Sequence, residues 1–376
     1  QGIYAAMPDN ASIAFRMGIC YLNIEGSKHL AIEYLENASQ NVHAKYREGS
    51  LRQTSAPYEA IFFLGDAYRI NYMFEKARDA YLRYRETLLP GDIENMMFVD
   101  QQIASCANAP AIMATPVRFA LEPVDNNLND SNDNFFPVIS ADGESMAFMT
   151  AMKFYDAIMF SRKIRNEWTP PLNITPELQS DGDHYVSCLS SDGTLMLLSK
   201  DDNINSDIWM SRYDGARWEP AQKLKKDINT KYWEAHGYIT EDGNTMIFSS
   251  DRPGGFGGLD LYVTKLDRNG EWGTPVNMGP EVNTPFNDDR PFLINDGKIL
   301  FFASQGHYNM GGYDIFRSDL QYNGLWSKPV NLGYPLNTPD DNIFFCPIDK
   351  GRAGYMSMTG KEPGAGKADI YLVRLK

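Results

Sequence analysis

"SSDRPGGFGGLDLY", residues 249–262, sets four glycines, a proline and three charged residues between two apolar runs. Such a loop can cradle a phosphate, bind a metal or turn a corner. The choice is made by "ASQGHYNMGGYDIF", residues 303–316, which repeats the pattern 54 residues later: Gly257, Gly258 and Asp260 return as Gly311, Gly312 and Asp314. A repeat at that period makes the loop part of an architecture.

Other markers run in step with it. Asp142-Gly143, Asp192-Gly193, Asp242-Gly243 and Asp296-Gly297 stand 50, 50 and 54 residues apart, and Lys350-Gly351 follows after another 54. Asp-Gly between alternating apolar runs predicts a type I′ hairpin, whose two central residues need positive φ. The segments "AIMFSR" (157), "DIWMSR" (207), "DLYVTK" (260), "DIFRSD" (314) and "DIYLVR" (369) form a second series. Trp168, Trp218, Trp272 and Trp326, each soon followed by proline, form a third. Each unit reads as four strands, in the fourth unit near "RPFLI", "KILFFAS", "YDIFRS" and "LWSKPVNL". Four-stranded units of about 50 residues predict a β-propeller, here with five blades. The fifth lacks a tryptophan strand. "VRFALEPVDNNLN" (117–129) matches "LWSKPVNLGYPLN" (325–337), so the first strand is expected to complete the last blade and leave no open edge.

The Asp-Gly turns then lie on one face of the disc. The glycine-rich loops and the "NTP" linkers at 283–285 and 337–339 lie on the other. No Gly-Lys-Ser/Thr follows the loop and a strand comes after it, which excludes a P-loop. The glycines are expected to permit a sharp bend, and the aspartate before Ile or Leu to accept backbone N–H bonds. Blades one and two, with "TAMKFYDA" and "KDDNINSD", do without the glycines, and Ala157 replaces the aspartate.

Residues 1–110 carry a different period. "ASIAFRMGICYL" (11–22) and "SKHLAIEYLENAS" (27–39) have apolar residues at helical spacing. They return as "APYEAIFFLGDAYRI" (56–70) and "FEKARDAYLRYRETLL" (74–89). Gly18 precedes Tyr21 as Gly65 precedes Tyr68, and Ala31 and Ala77 mark close helix approach. Pro90 and Gly91 stop the second pair, and "IENMMFVDQQIASCA" (93–107) is predicted as a capping helix. The opening "QGIYAAMPDN" reads as the tail of a helical hairpin. This pattern resembles tetratricopeptide repeats, although Gly18 and Gly65 stand 47 residues apart and "QNVHAKYREGSLRQTS" (40–55) forms an added loop. It offers either a groove for a partner helix or a spacer. The predicted organisation is a helical repeat domain over 1–110 and a propeller over 111–376.

Composition bounds the function. A net charge of −14 excludes a nucleic-acid binder, which needs a basic surface. Residues before 110 hold 10 basic and 13 acidic groups against 25 and 36 after, so the acidity belongs mainly to the propeller. No apolar run of about 18 residues spans a membrane. Cys20, Cys106, Cys188 and Cys346 form no CxxC pair and read as four buried free thiols, with a Cys20–Cys106 bridge the alternative.

An acidic residue follows each blade linker: Asp133, Asp183, Glu234, Asp289 and Asp341. Together they are expected to ring the mouth of the central channel. They admit three readings: carboxylates capping turns, a calcium site of six to eight oxygens, or a glycosidase pair about 5–10 Å apart. His184, His236 and His307 show no zinc spacing, and no Gly-x-Ser-x-Gly elbow occurs. No metal and no cofactor is expected, calcium being the alternative. Aromatics in the glycine loops suit a protein or sugar surface. The partner-binding face is placed at Asp251, Arg252, Phe256, Arg290, His307 and Tyr308.

The run "IFSSDRPGGFGGLDLYVTK … W … PVNMG … VNTPFNDDRPF" resembles the WD40-like repeat of the TolB type. Behind tetratricopeptide-like repeats, it resembles a family of envelope proteins. That family commonly ends in an OmpA-like peptidoglycan-binding domain, as in the peptidoglycan-associated lipoprotein of type IX secretion. No OmpA-like domain and no lipidated cysteine lies in these residues, so peptidoglycan binding is not assigned to them. The resemblance implies a non-enzymatic, periplasmic, outer-membrane-associated scaffold. Its envelope-protein partners would use the helical groove and one propeller face. The alternative is a carbohydrate-binding or glycoside-hydrolysing propeller using Asp183, Glu234 and Asp289.

Overall fold

The structure is a computed structural model that describes residues 7, 9–50, 52–124, 127–201, 205–359 and 367–376. Most of the opening decapeptide, the centre of the loop at 200–207 and part of the 117–129 match lie outside the described residues. The chain divides into two compact units. One comprises Gln1–Pro116 with Tyr308–Asp314 and Gly333–Asn342; the other comprises Val117–His307, Ile315–Leu332 and Ile343–Lys376.

The first unit contains five described helices: α1 (Ala11–Leu22), α2 (Ala31–Ala38), α3 (Glu59–Ile70), α4 (Phe74–Arg85) and α5 (Ile93–Ala114). Asn10 starts α1, its side chain accepting the Ile13 N–H at 3.1 Å. Gly18 and Gly65 let neighbouring helices close: a Cβ at either would fall 2.4 Å from Leu35 or 2.5 Å from the Tyr81 ring. Ala31 and Ala77 are fully buried beside Leu35, Leu64 and Tyr81. The polar stretch 40–55 is tied at its base by reciprocal bonds from His43 N–H to Ala56 O and from Ala56 N–H to Asn41 O.

Helix α5 runs past the predicted boundary at 110 because Pro110 sits inside it. The missing N–H costs one helical bond, yet Ala109 and Ile112 are buried on either side and hold the next turn. Of the four cysteines, all free, Cys20 is exposed and the other three are buried, which corrects both the expected burial of Cys20 and the alternative bridge.

The second unit is a five-bladed β-propeller. The sheets run β2 (Asn134–Ile139), β3 (Ser145–Ala151), β4 (Asp156–Ile164), with β5 (Glu167–Trp168) and β6 (Leu172–Asn173) both on β4; β7 (His184–Leu189), β8 (Leu195–Asp201), β9 (Ser206–Arg212), β10 (Gln222–Lys223); and β11 (Glu234–Ile239), β12 (Thr245–Ser250), β13 (Asp260–Lys265), β14 (Val276–Asn277). The fourth is β15 (Asp288–Ile294), β16 (Ile299–Ser304), β17 (Asp314–Asp319), β18 (Val330–Asn331). The fifth is β19 (Cys346–Ile348), β20 (Ala353–Thr359), β21 (Ala368–Leu375), with β1 (Phe119–Pro123) antiparallel to β21. The first strands β2, β7, β11, β15 and β19 neighbour one another in a closed ring.

Two local devices recur. The Asp-Gly hairpins are not type I′: in blades one to three only the glycine has positive φ, +76° at Gly143, +67° at Gly193 and +71° at Gly243. The Gly143 N–H closes on Ser140 O, and Asp142 accepts the Glu144 N–H at 2.9 Å, so the aspartate caps the turn through its side chain. The second device is a linker side chain that caps the third strand. Thr175, Asn229, Asn283 and Asn129 accept the N–H of Ile158, Ile208, Leu261 and Ile370, each at 2.8 Å.

Candidate functional site

The glycine loops are shaped by space rather than by sharp bending. Gly257, Gly258, Gly311 and Gly312 have no positive φ. A Cβ on Gly257 would lie 2.4 Å from the carbonyl oxygens of Thr284 and Phe286, and one on Gly258 2.2 Å from Asn287 Oδ1. The loop backbone thus lies against the linker to the next blade. Asp260 accepts the N–H groups of Phe256 (2.7 Å) and Gly257 (3.2 Å), and Asp314 that of Met310 (2.8 Å), so these aspartates cap the loop.

The six residues of the proposed partner face have unequal freedom. Asp251 accepts the Trp233 N–H at 2.8 Å. Arg252 is held: it donates to Ile228 O (2.7 Å), Ser250 Oγ (3.0 Å) and Glu234 (3.2 Å), between the rings of Phe248 and Tyr262. His307 Nε2 lies 2.9 Å from Val282 O and its ring packs on Phe302 and Phe316. Burial lowers the His307 pKa, so the ring is neutral and donates. Phe256 and Tyr308 are the outward aromatics, 47% and 52% exposed. Tyr308 opens the segment 308–314 of the first unit. There Asn309 meets Asn108 and Gln101 at 3.2 Å each, and Met310 packs on Ala109 and Ile112. The linker 333–342 is held in the same unit: Arg69, buried with Asp66 and Tyr81, donates to Pro339 O, and Lys28 pairs with Asp340.

The five linker carboxylates do not form one ring position. Asp133, Asp183 and Asp341 directly precede the register place of Asn134, His184, Glu234, Asp288 and Asn342; Asp289 falls one place after it. Insertions in the linkers shifted the acidic residue, and spacing alone could not align it. Asp133 accepts the Lys367 N–H at 2.6 Å and Asp341 that of Tyr313 at 3.0 Å. Glu234 is wholly buried and accepts the Thr230 N–H (2.6 Å), Thr230 Oγ1 (2.7 Å) and Ser250 Oγ (2.9 Å). Asp183 pairs with Lys200 at 2.7 Å.

Asp289 belongs to the axis. Bulges in β2, β11 and β15 put Phe136, His236 and Arg290 at φ +52°, +47° and +51°, which re-aims their side chains. Asp289 Oδ1 accepts Ser249 Oγ (2.6 Å) and the Arg290 N–H (2.7 Å) and lies 2.8 Å from His236 Nδ1. Burial alone would raise the Asp289 pKa; His236, Arg290 and Ser249 outweigh it and hold the carboxyl ionised. Burial keeps His236 neutral, assisted by the Arg290 charge. Arg290 stacks 4.1 Å from the Phe136 ring centre and 5.8 Å from that of Phe344, bridging blades one, four and five. Sequence reasoning missed Phe136, Ser249 and Phe344; the one available signal was their fixed place after the linkers. A cavity of about 510 Å³ is lined by residues of all five first strands, among them Val138, Cys188, Tyr238, Phe292 and Cys346. Burial pushes both thiols up to about 12, so they are protonated.

One group of metal-ligand type occurs among the described residues: Asp181, Asp183 and His184. The Lys200 ammonium lies 2.7 Å from Asp183 and 3.4 Å from Asp181, where a cation would sit. Among the described residues no helix is long and apolar enough to cross a membrane.

No family model matches the chain, and no curated protein matches it in sequence. Similar solved structures include TolB from Acinetobacter baumannii, 15% identical over 77% of this chain and 71% of that one, at a TM-score of 0.42. Another is an alpha-L-arabinofuranosidase from Lactobacillus brevis, 14% identical over 64% and 91%, at 0.43. A third is an endo-arabinase from Bacteroides thetaiotaomicron, 15% identical over 68% and 96%, at 0.42. At this level of agreement none of them bears on function.

Proposed function

We propose that the chain is a non-enzymatic protein-interaction scaffold of the bacterial cell envelope, periplasmic and associated with the outer membrane. One observation carries the reading: the carboxylates available for glycan chemistry close local turns. Glu234 accepts bonds from Thr230 and Ser250 with Arg252 beside it, and Asp133 and Asp341 each accept a backbone N–H. A carboxylate committed in this way is a poor proton donor or nucleophile. The helix pairs α1–α2 and α3–α4 we read as tetratricopeptide-like, and the β1–β21 pairing as the closure of the ring. Envelope proteins are the partners, meeting the helical unit and the face that carries Asp251 and Phe256.

The alternative, a glycan-binding or glycan-cleaving propeller using Asp183, Glu234 and Asp289, draws on the ionised Asp289 beside His236 at the axis. The two are separated by one pair of assays on the full chain. A photo-cross-linking residue at Phe256 should capture defined envelope proteins from cells. The purified chain should release no reducing ends from arabinan or xylan. Sugar release that disappears in a folded Asp289→Asn variant would replace the scaffold reading with the alternative.

A further inference from the structure

The blades repeat one packing scheme at their junctions, and one junction departs from it. Between blades one and two, Phe160 meets the Trp218 indole edge-on at 5.2 Å between ring centres, and Tyr213 lies 5.6 Å from the same indole. The Arg162 guanidinium covers Tyr213 at 4.3 Å. Trp218 is 1% exposed, so the junction is full. The same four places between blades two and three hold Met210, Trp272, Leu266 and Arg212. Their equivalence follows from the isolated bridges Tyr213–Trp218 and Leu266–Trp272 and from the shared "MFSR"/"WMSR" register of β4 and β9. Two rings have become aliphatic side chains. Arg212 has no ring to lie on; it is exposed and makes no ion pair among the described residues.

The departure opens a cleft of about 600 Å³ floored by Met210, Leu224, Leu266 and Trp272. That volume is in the range of ligand sites. Two basic and five acidic side chains line it, so its field disfavours anions. Asp227 and Glu241 at the rim are exposed and unpaired among the described residues. The other polar groups face inward: Ser190 donates to Asp192 at 2.7 Å and Thr240 to Asp242 at 2.6 Å, each completing its own hairpin turn. A neutral saccharide would find few free partners for its hydroxyls there. An aliphatic side chain would find a matching floor, and flanking cations would find Asp227, Glu241 and the Trp272 face.

We infer that the cleft between blades two and three docks a basic peptide segment of a partner protein. One bulky apolar side chain would enter between Met210 and Trp272, with Lys or Arg on either side of it. This rests on the interaction reading above and names the chemistry of one partner.

The test titrates the full chain by calorimetry with three probes. These are the acetylated, amidated peptide Lys-Lys-Leu-Phe-Lys-Lys, its Glu-for-Lys counterpart, and xylotetraose. The basic peptide should bind saturably and the acidic one not at all. The double variant Met210→Phe, Leu266→Tyr rebuilds the full junction of blades one and two and should weaken binding by about tenfold or more. Because that variant may disturb the fold, Asp227→Lys with Glu241→Lys, both on exposed side chains, provides an independent test. It should weaken binding about fivefold or more and flatten the salt dependence. Equal binding of the basic peptide to both variants, absence of peptide binding, or preference for the acidic peptide or xylotetraose would each overturn the inference. If the envelope cross-links from Phe256 persist in that event, only the cleft is lost; if sugar release appears with it, the interaction reading goes too.

Discussion

At the scale of single residues, Asp288 shows how a repeat tolerates an ionisable group. It stands where blades one and five carry Asn134 and Asn342. Asp288 Oδ2 accepts the Thr284 N–H at 2.6 Å, as Asn342 Oδ1 accepts that of Thr338 at 2.6 Å. Its second oxygen, Oδ1, is buried without a hydrogen-bond partner. Burial pushes the carboxyl up from 3.8 to about 7, against the bonds from Ser304 and Thr284. The folded chain therefore holds a proton that the unfolded chain has released between these two values. Stability from this group is complete below pH 4 and is lost as the pH rises through 7. Asp288→Asn keeps the accepting oxygen and removes the titration. The variant should melt like the wild type at pH 4 and increasingly above it toward pH 8. Parallel melting curves across that range would show that Asp288 stays ionised in the fold.

At the scale of elements, the glycine loop was legible as a corner but its cause was not. Sequence reasoning assigned the glycines to bending. The structure assigns Gly257 to contact, with two backbone carbonyls where a Cβ would go, while Gly254 has φ +96° and open space around it. The two should respond differently. Gly254→Ala costs the left-handed penalty of about 1–2 kcal/mol. Gly257→Ala must move the linker as well and should cost about 3 kcal/mol or more, beyond the usual range for overpacking because the obstacle is backbone. Urea denaturation of both variants decides it, and equal losses would refute the contact argument. The strands, the blade count and the helices were readable because each follows a short period of apolar residues. The carboxylate register was not, because linker insertions break that period just before β2, β7, β11, β15 and β19. Nor was the end of α5, since Pro110 marks a helix end in sequence although buried neighbours carry the helix four residues further.

At the scale of the molecule, the N-terminal helices are not a module that the sequence boundary delimits. Their unit includes 308–314 and 333–342, nearly 200 residues further along the chain. Met310 is fully buried against Ala109 and Ile112, and Arg69, 4% exposed, has its hydrogen bond to Pro339 there. A cut at 116/117 therefore divides this unit. In the shorter piece Arg69 would keep Asp66 and Tyr81 but lose a carbonyl acceptor inside a buried site, and an unmet charge-assisted bond costs about 1–3 kcal/mol. In the longer piece Met310 and Tyr334 would face water. We expect residues 117–376 expressed alone to bind the dye ANS and to melt below the full chain, and residues 7–116 alone to melt broadly. Co-expression of the two pieces should restore a single complex on size-exclusion chromatography. Two pieces that each melt cooperatively, without ANS binding and without association, would show that the distant segments contribute nothing essential. The sequence boundary would then be the physical one.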